Sequence, residues 1–305
     1  MAANERIPSL QADDKLGAER SKAAVRSTWV SVAVNTGLAC LQVLVGIFSA
    51  SQGLVADGIH SLADLVSDFV VLFASRHSQK DADEDHPYGH HRFETGASLA
   101  LGVLLLVVGT GMLWSALGKL EHPASIPVVR SLAIWVVAAA LIVKELLFRY
   151  LLSVAKRLKS SMLVANAWHA RSDALSSLVV GIGVIGNLAG YPVLDPLAAL
   201  VVGLLIGRMG WKFGWNALND LMDRAVDEHE VAAIRATLLA TPGVNGVHDL
   251  RTRKTGDMII VDVHLEIDGQ ITVIAGHEIS ENARTRVLQR HRVLDVLTHI
   301  DPWRD

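Results

Sequence analysis

Residues 27–56 hold no formally charged side chain over thirty positions, and residues 95–118 hold none over twenty-four. At roughly 1.5 Å of rise per residue, either run is long enough as a helix to cross the ~30 Å of hydrocarbon in a bilayer. No soluble core of ordinary size needs uninterrupted apolar runs this long, so both read as membrane spans. Residues 174–194 are a third uncharged run, and the apolar spacing continues back to Ser161, which gives a span with polar residues inside it. Residues 53–75 are apolar apart from Asp57, His60, Asp64 and Asp68. Residues 128–152 are interrupted by Arg130, Lys144, Glu145 and Arg149, and residues 196–215 carry Arg208 and Lys212 toward their end. Six spans result.

The polar first 26 residues and the length of the run behind them argue against a secretory signal peptide. Lys and Arg gather on one side of the spans, at Arg6, Lys15, Arg20, Lys22, Arg26, Arg76, Lys80, Arg92, Arg149, Lys156, Arg157 and Lys159, against Lys119 and Arg130 on the other. The positive-inside rule then puts both termini in the cytoplasm. Beyond Leu218 the pattern changes: helical spacing at 227–239, β-like runs at 246–253 and 258–267, a helix at 274–289 and a last strand at 293–300. In 258–267, Val261, Val263 and Leu265 alternate with Asp262, His264 and Glu266, the period of a half-buried strand. The chain divides into an N-terminal cytoplasmic tail (1–20), a six-helix transmembrane domain (21–217) and a cytoplasmic metal-binding and dimerisation domain (218–305) with a small sheet and helices on one face. The 28 Lys+Arg are scattered among 31 Asp+Glu, which excludes a nucleic-acid partner. The single cysteine, Cys40, leaves His, Asp and Glu as the available metal ligands.

Asp57, His60, Asp64 and Asp68 are spaced 3, 4 and 4 and share one helix stripe. Asn166, His169 and Asp173 repeat the device on another helix, again with His and Asp four apart. The two helices run in opposite directions, and both His–Asp pairs fall near mid-bilayer. Two imidazoles and two carboxylates suit a tetrahedral divalent ion such as Zn²⁺, and the carboxylates cancel its charge. Binding requires neutral His and ionised Asp, so protons and metal compete for one site and exchange between them follows. Asp57 and Asp68 are placed instead along a water-filled entrance or exit. The bland alternative is that these residues join helices by hydrogen bonds alone.

After the second span, Asp83, His86 and His90 can close on one ion, with Pro87 and Gly89 making the turn between them. A solvated acidic loop that concentrates cations is the competing reading. His86-x-x-x-His90-His91 also imitates one histidine box of a membrane di-iron enzyme, but His60, His77, His122 and His169 supply no second box, and no H-E-x-x-H marks a zinc protease. The chain is not read as an enzyme. In the tail, His248, His264, His277, His299 and Asp301 are candidate ligands of a regulatory site, His299 and Asp301 sharing a strand face.

With these motifs in order, residues 20–303 resemble the cation diffusion facilitator family, in particular its bacterial zinc/iron efflux members. The resemblance implies a homodimer joined partly through ferredoxin-like cytoplasmic domains, proton-driven metal export, and residence in a bacterial inner membrane. It implies transport ligands His60, Asp64, His169 and Asp173, a loop site of Asp83, His86 and His90, and a tail site in which Asp301 bridges two ions. It also implies an interlocking charge pair, Arg92 with Asp223. Two departures stand out. His60 occupies a position where those zinc/iron members carry Asp, and the loop after the fourth span is basic rather than His-rich. An imidazole in place of an oxygen ligand favours Zn²⁺ or Co²⁺ over Mn²⁺. Zinc is therefore the expected cargo, with Fe²⁺, Co²⁺, Cd²⁺ and Mn²⁺ open. The rival is a membrane-anchored metal sensor or scaffold that moves nothing.

Overall fold

A computed structural model describes the backbone of residues 8–158 and 161–303; the side chains of residues 8–25, 158, 161–163, 165, 166 and 169 lie outside the described residues. Six long helices come first: α1 (Pro8–Phe48), α2 (Gln52–Ser78), α3 (Arg92–Leu120), α4 (Leu132–Leu158), α5 (Ser161–Leu188) and α6 (Leu194–Leu221). Among the described residues, Arg26–Phe48 and the whole of α2, α3 and α6 are long and apolar enough to cross a membrane. The helices α4 and α5 match them in length, at 27 and 28 residues. Polar side chains interrupt both: Lys144, Glu145 and Arg149 in α4, and Arg171, Asp173, Ser176 and Ser177 in α5.

The uncharged run at 27–56 is not one helix. It stops at Phe48, turns through Ser49–Ser51 with Ala50 at φ 59°, and restarts at Gln52. Asp195, in the first turn of α6, makes the restart possible. Its carboxylate accepts hydrogen bonds from Ser51 Oγ at 2.5 Å, from the Gln52 backbone N–H at 2.6 Å and from that of Gly53 at 3.2 Å. The open N–H groups and positive dipole end of α2 are thereby met by a buried anion from another helix.

The chain divides into two compact units. One runs to Asp68 and resumes over Leu104–Gly210; the other takes Phe69–Val103 and Trp211 onward. Within the first, α4 and α5 pack through Leu147, Phe148 and Leu151 against Ala167 and Ala170, with Val34 of α1 alongside. Small residues set the closest approaches, as expected where lipid gives helices no hydrophobic drive to associate. A Cβ on Gly109 of α3 would stand 2.8 Å from the backbone of Gly207 on α6, and one on Gly58 of α2 would stand 2.7 Å from Val43 of α1.

The second unit ends in a ferredoxin-like α+β domain: α7 (Glu228–Leu239), β1 (Gly246–Thr255), β2 (Met258–Ile267), α8 (Val273–Arg290) and β3 (Val293–Pro302). The sheet order is β1-β2-β3, with β1 antiparallel and β3 parallel to the central β2. Val261, Val263 and Leu265 line the buried face of β2. They pack with Ile234 and Leu238 of α7 and Ala283 and Val287 of α8. The alternate residues, His264 among them, are left on the other face, where the ligands gather.

Candidate metal sites

Within the long helices, candidate ligand atoms of His60, Asp64 and Asp173 all lie within 4.8 Å of one another. His60 Nδ1 and the Asp64 carboxylate, one turn apart on α2, are separated by 3.8 Å. The i, i+4 spacing stacks that pair on the face turned toward Asp173 of α5. The fourth expected ligand, His169, has its side chain outside the described residues, as does Asn166. Asp64, Asp68, Lys144, Ser61 and Asp173 contribute to the wall of a cavity of about 40 Å³. At ~10–15 Å³ per water such a space holds about three waters, or an ion with one or two, not an ion carrying its full hydration shell. Asp68 is exposed at this cavity.

Asp57 departs from the expectation of a water-lined passage: it is 1 % exposed. Its oxygens accept hydrogen bonds from Gln42 Nε2 of α1 at 2.5 Å, Ser177 Oγ at 2.5 Å and Ser176 Oγ at 3.1 Å, both serines on α5. Lys144 Nζ, equally buried, lies 3.7 Å from it. The ammonium donates to Ser177 Oγ at 2.6 Å, and to Ser61 Oγ and the backbone carbonyl of Asp173 at 3.4 Å each. A carboxylate this far from water needs such partners. The sequence contained a hint in Lys144, a cation in the middle of an apolar span, but its partners sit on two other helices, α2 and α5, and no spacing rule links them.

The loop between α2 and α3 brings its three candidates together. Asp83 accepts from the His86 backbone N–H at 2.7 Å, its two oxygens lie 3.3 Å from His86 Nδ1 and 3.4 Å from His90 Nε2, and the two rings are 4.5 Å apart. Gly89, at φ 77°, supplies the left-handed turn that returns His90 beside His86. The backbone hydrogen bond from His86, with that residue's ring and the charge of His90 adding to it, holds the Asp83 carboxyl below its usual range against a smaller desolvation. An ionised carboxylate between two imidazoles is competent to take a divalent cation. Nearby, Arg92 Nη2 meets Asp223 Oδ1 at 2.6 Å, forming the expected charge pair.

On the outer face of the tail sheet, register does the gathering. His248 of β1 pairs with His264 of β2, which pairs with His299 of β3, so three imidazoles lie in one row across the strands. Their ring centroids are 5.0 Å and 4.6 Å apart. Asp301 sits beside the row: Oδ2 is 2.7 Å from His264 Nδ1 and 3.2 Å from His248 Nε2, and Oδ1 is 3.5 Å from His299 Nε2. The hydrogen bond with His264, aided by the charges of His299, His264 and His248, depresses the Asp301 pKa against desolvation. His248, His264 and Asp301 lie close enough to share an ion. His277 does not join them. It is exposed on α8, an element that packs on the sheet's buried face.

Long apolar helices enclosing an imidazole–carboxylate cluster, joined to a small domain with a cluster of its own, define a multi-span membrane transporter of metal cations. Residues 28–222 match the cation efflux transmembrane domain and residues 226–303 the cytoplasmic domain of cation efflux proteins. The chain belongs to the cation efflux family, the cation diffusion facilitators, which are transporters and not enzymes. Metal tolerance protein C1 of Arabidopsis thaliana is 36% identical over 288 residues, taking in 90% of this chain and 61% of that relative's length. The manganese efflux system protein MneS of Bacillus subtilis is 31% identical over 273 residues, covering 90% of this chain and 93% of the relative. The magnetosome protein MamB of a Magnetospira species is 30% identical over 282 residues, covering 90% and 94%.

Proposed function

We propose that this chain exports a divalent metal cation, zinc foremost, from the cytoplasm in exchange for protons, by alternating access of a site made of His60, Asp64, His169 and Asp173. The observation that carries the reading is the convergence of His60, Asp64 and Asp173 from two helices to within 4.8 Å, together with the family to which the chain belongs. Two imidazoles and two ionised carboxylates form a neutral assembly with a divalent ion, which the apolar surroundings require. Protonating the imidazoles removes lone pairs that the metal needs, so a proton arriving from the far side displaces it. The imidazole of His60 favours Zn²⁺ or Co²⁺; Mn²⁺, named in a relative, together with Fe²⁺ and Cd²⁺, are the alternatives that flux measurements rank.

In this reading the protein works as a homodimer in a bacterial inner membrane, with both termini cytoplasmic. The long spans fit 21–217 and the metal-responsive tail fits 218–305. Asp83, His86 and His90 capture cytoplasmic metal. His248, His264, His299 and Asp301 form the regulatory site, from which His277 stands apart. Metal there biases the membrane helices toward the transporting state. The test is Zn²⁺ flux in liposomes under an imposed pH gradient, beside Fe²⁺, Mn²⁺, Co²⁺ and Cd²⁺, for the native chain and Asp173→Ala. Gradient-driven flux that the substitution abolishes is expected. Stoichiometric metal binding without flux in the native chain would replace the transporter by the sensor or scaffold.

A further inference from the structure

The buried Lys144–Asp57 pair stands one turn from the transport ligands and is not used by the mechanism above. On the stripe of α2, Asp57 precedes His60 by three positions and Asp64 by seven, so helix spacing alone puts it on the face that carries the ligands. It is instead surrounded by protein donors: Gln42, Ser176 and Ser177 occupy its oxygens, and Lys144 faces it at 3.7 Å. Lys144 meanwhile contributes to the same 40 Å³ cavity as Asp64 and Asp173. Its ammonium touches Ser61, the neighbour of His60, and the backbone carbonyl of Asp173 itself.

We propose that Lys144 is a specificity-determining positioning residue: its fixed positive charge withdraws Asp57 from the ligand set, leaving the cavity an imidazole-containing site rather than an oxygen-rich one. This rests on the reading of His60, Asp64, His169 and Asp173 as the transport site. Two consequences separate it from simple structural bracing. Without the ammonium, Asp57 becomes an uncompensated anion beside the cavity, adding a hard oxygen that favours Mn²⁺. Without Asp57, the ammonium is left facing the cavity and repels any divalent ion alike.

The experiment measures Zn²⁺ flux in liposomes, its KM, and the Mn²⁺ concentration that halves it, for protein shown to be folded by gel filtration and thermal unfolding. Lys144→Met is expected to lower the half-inhibiting Mn²⁺ concentration about tenfold, the scale seen when groups supporting metal ligands are changed. Asp57→Asn is expected to raise the KM for Zn²⁺ by about as much without altering the Mn²⁺ to Zn²⁺ preference. The double variant Asp57→Asn/Lys144→Met, which removes both charges, is expected to return both quantities toward native values. Unchanged Mn²⁺ sensitivity in folded Lys144→Met overturns the proposal, as does a double variant that keeps either defect. Should Lys144→Met fail to fold, a native KM in Asp57→Asn overturns it equally. Native flux in Asp173→Ala would instead refute the transport site, leaving the two failures distinct.

Discussion

Replacing Asp195 with Ala removes the anion that starts α2, and the structure allows its cost to be worked out. Three donors lose their acceptor: Ser51 Oγ, the Gln52 N–H and the Gly53 N–H. Ser51 and Asp195 are 1 % and 2 % exposed, so water is a poor substitute. Each buried donor left unpaired costs about 1–3 kcal/mol, and the lost charge at the helix N-terminus removes up to ~2 kcal/mol. Against this stand the hydroxyl's freedom to turn elsewhere and the release of a carboxylate whose burial itself costs several kcal/mol. A net loss of roughly 3 kcal/mol remains. Asp195→Asn should recover little of it, because its single oxygen can serve Ser51 while its amide presents hydrogens to the Gln52 N–H. The assay is reversible unfolding of the full chain in mixed micelles, with Ser51→Ala and the double variant completing a cycle. Because α2 carries His60 and Asp64, the KM for Zn²⁺ should rise in parallel. Stability of Asp195→Ala within about 1 kcal/mol of native, or an Asn variant as stable as native, would refute the capping argument.

Three further outcomes follow from the second unit. Asp301 has its pKa depressed, so it stays ionised while pH falls through the imidazole range, and its contribution to stability is lost only as pH falls through the depressed carboxylate value. The stability that Asp301 adds, taken by difference against Asp301→Asn in unfolding of the full chain, should therefore persist through neutral and mildly acidic pH and be lost only in the carboxylate range; a loss already complete at neutral pH would refute it. Leu265→Ala, at a fully buried position on β2, should destabilise the tail by about 2–5 kcal/mol in thermal or denaturant unfolding. Arg92 and Asp223 are each half-exposed, so Arg92→Ala should cost less than about 1 kcal/mol in the same assay despite the 2.6 Å contact.

The tail was legible because its signals are local. The alternation around Val261, Val263 and Leu265 gave β2 its observed limits, and the helices and remaining strands fall within two residues of their expected ends. A break between the runs at 27–56 and 53–75 was expected, but its place at Ser49–Ser51 was not legible, since that segment lacks charge, proline and glycine, and its stabilising anion comes from Asp195, 144 positions after Ser51. The His–Asp spacing on α2 revealed where ionisable groups share a face, but not that Asp57 is held by Gln42, Lys144 and two serines while Asp64 lines the cavity. In the tail, a list of histidines could not reveal their row. That depends on an irregularity between His248 and Arg251 and on the parallel alignment of β3, which are properties of strand pairing. The same pairing explains why His277, on a helix against the opposite face, stands apart.

The Lys144–Asp57 pair also constrains how the chain can be put into a bilayer. A lysine or an aspartate at mid-helix costs ~2.5–3.5 kcal/mol to insert by itself. Asp57 lies on the second helix to emerge, Lys144 on the fourth, and the serines that link them on the fifth. Synthesis therefore delivers an anion that waits for its cation, and a cation whose best donor contact, to Ser177, is still to be made. Neither α2 nor α4 is a comfortable resident of lipid until α5 has arrived. Assembly of the bundle is therefore expected to be concerted over these three helices rather than sequential, with the uncharged stretches 27–48 of α1 and 95–118 of α3 available to anchor the nascent chain meanwhile.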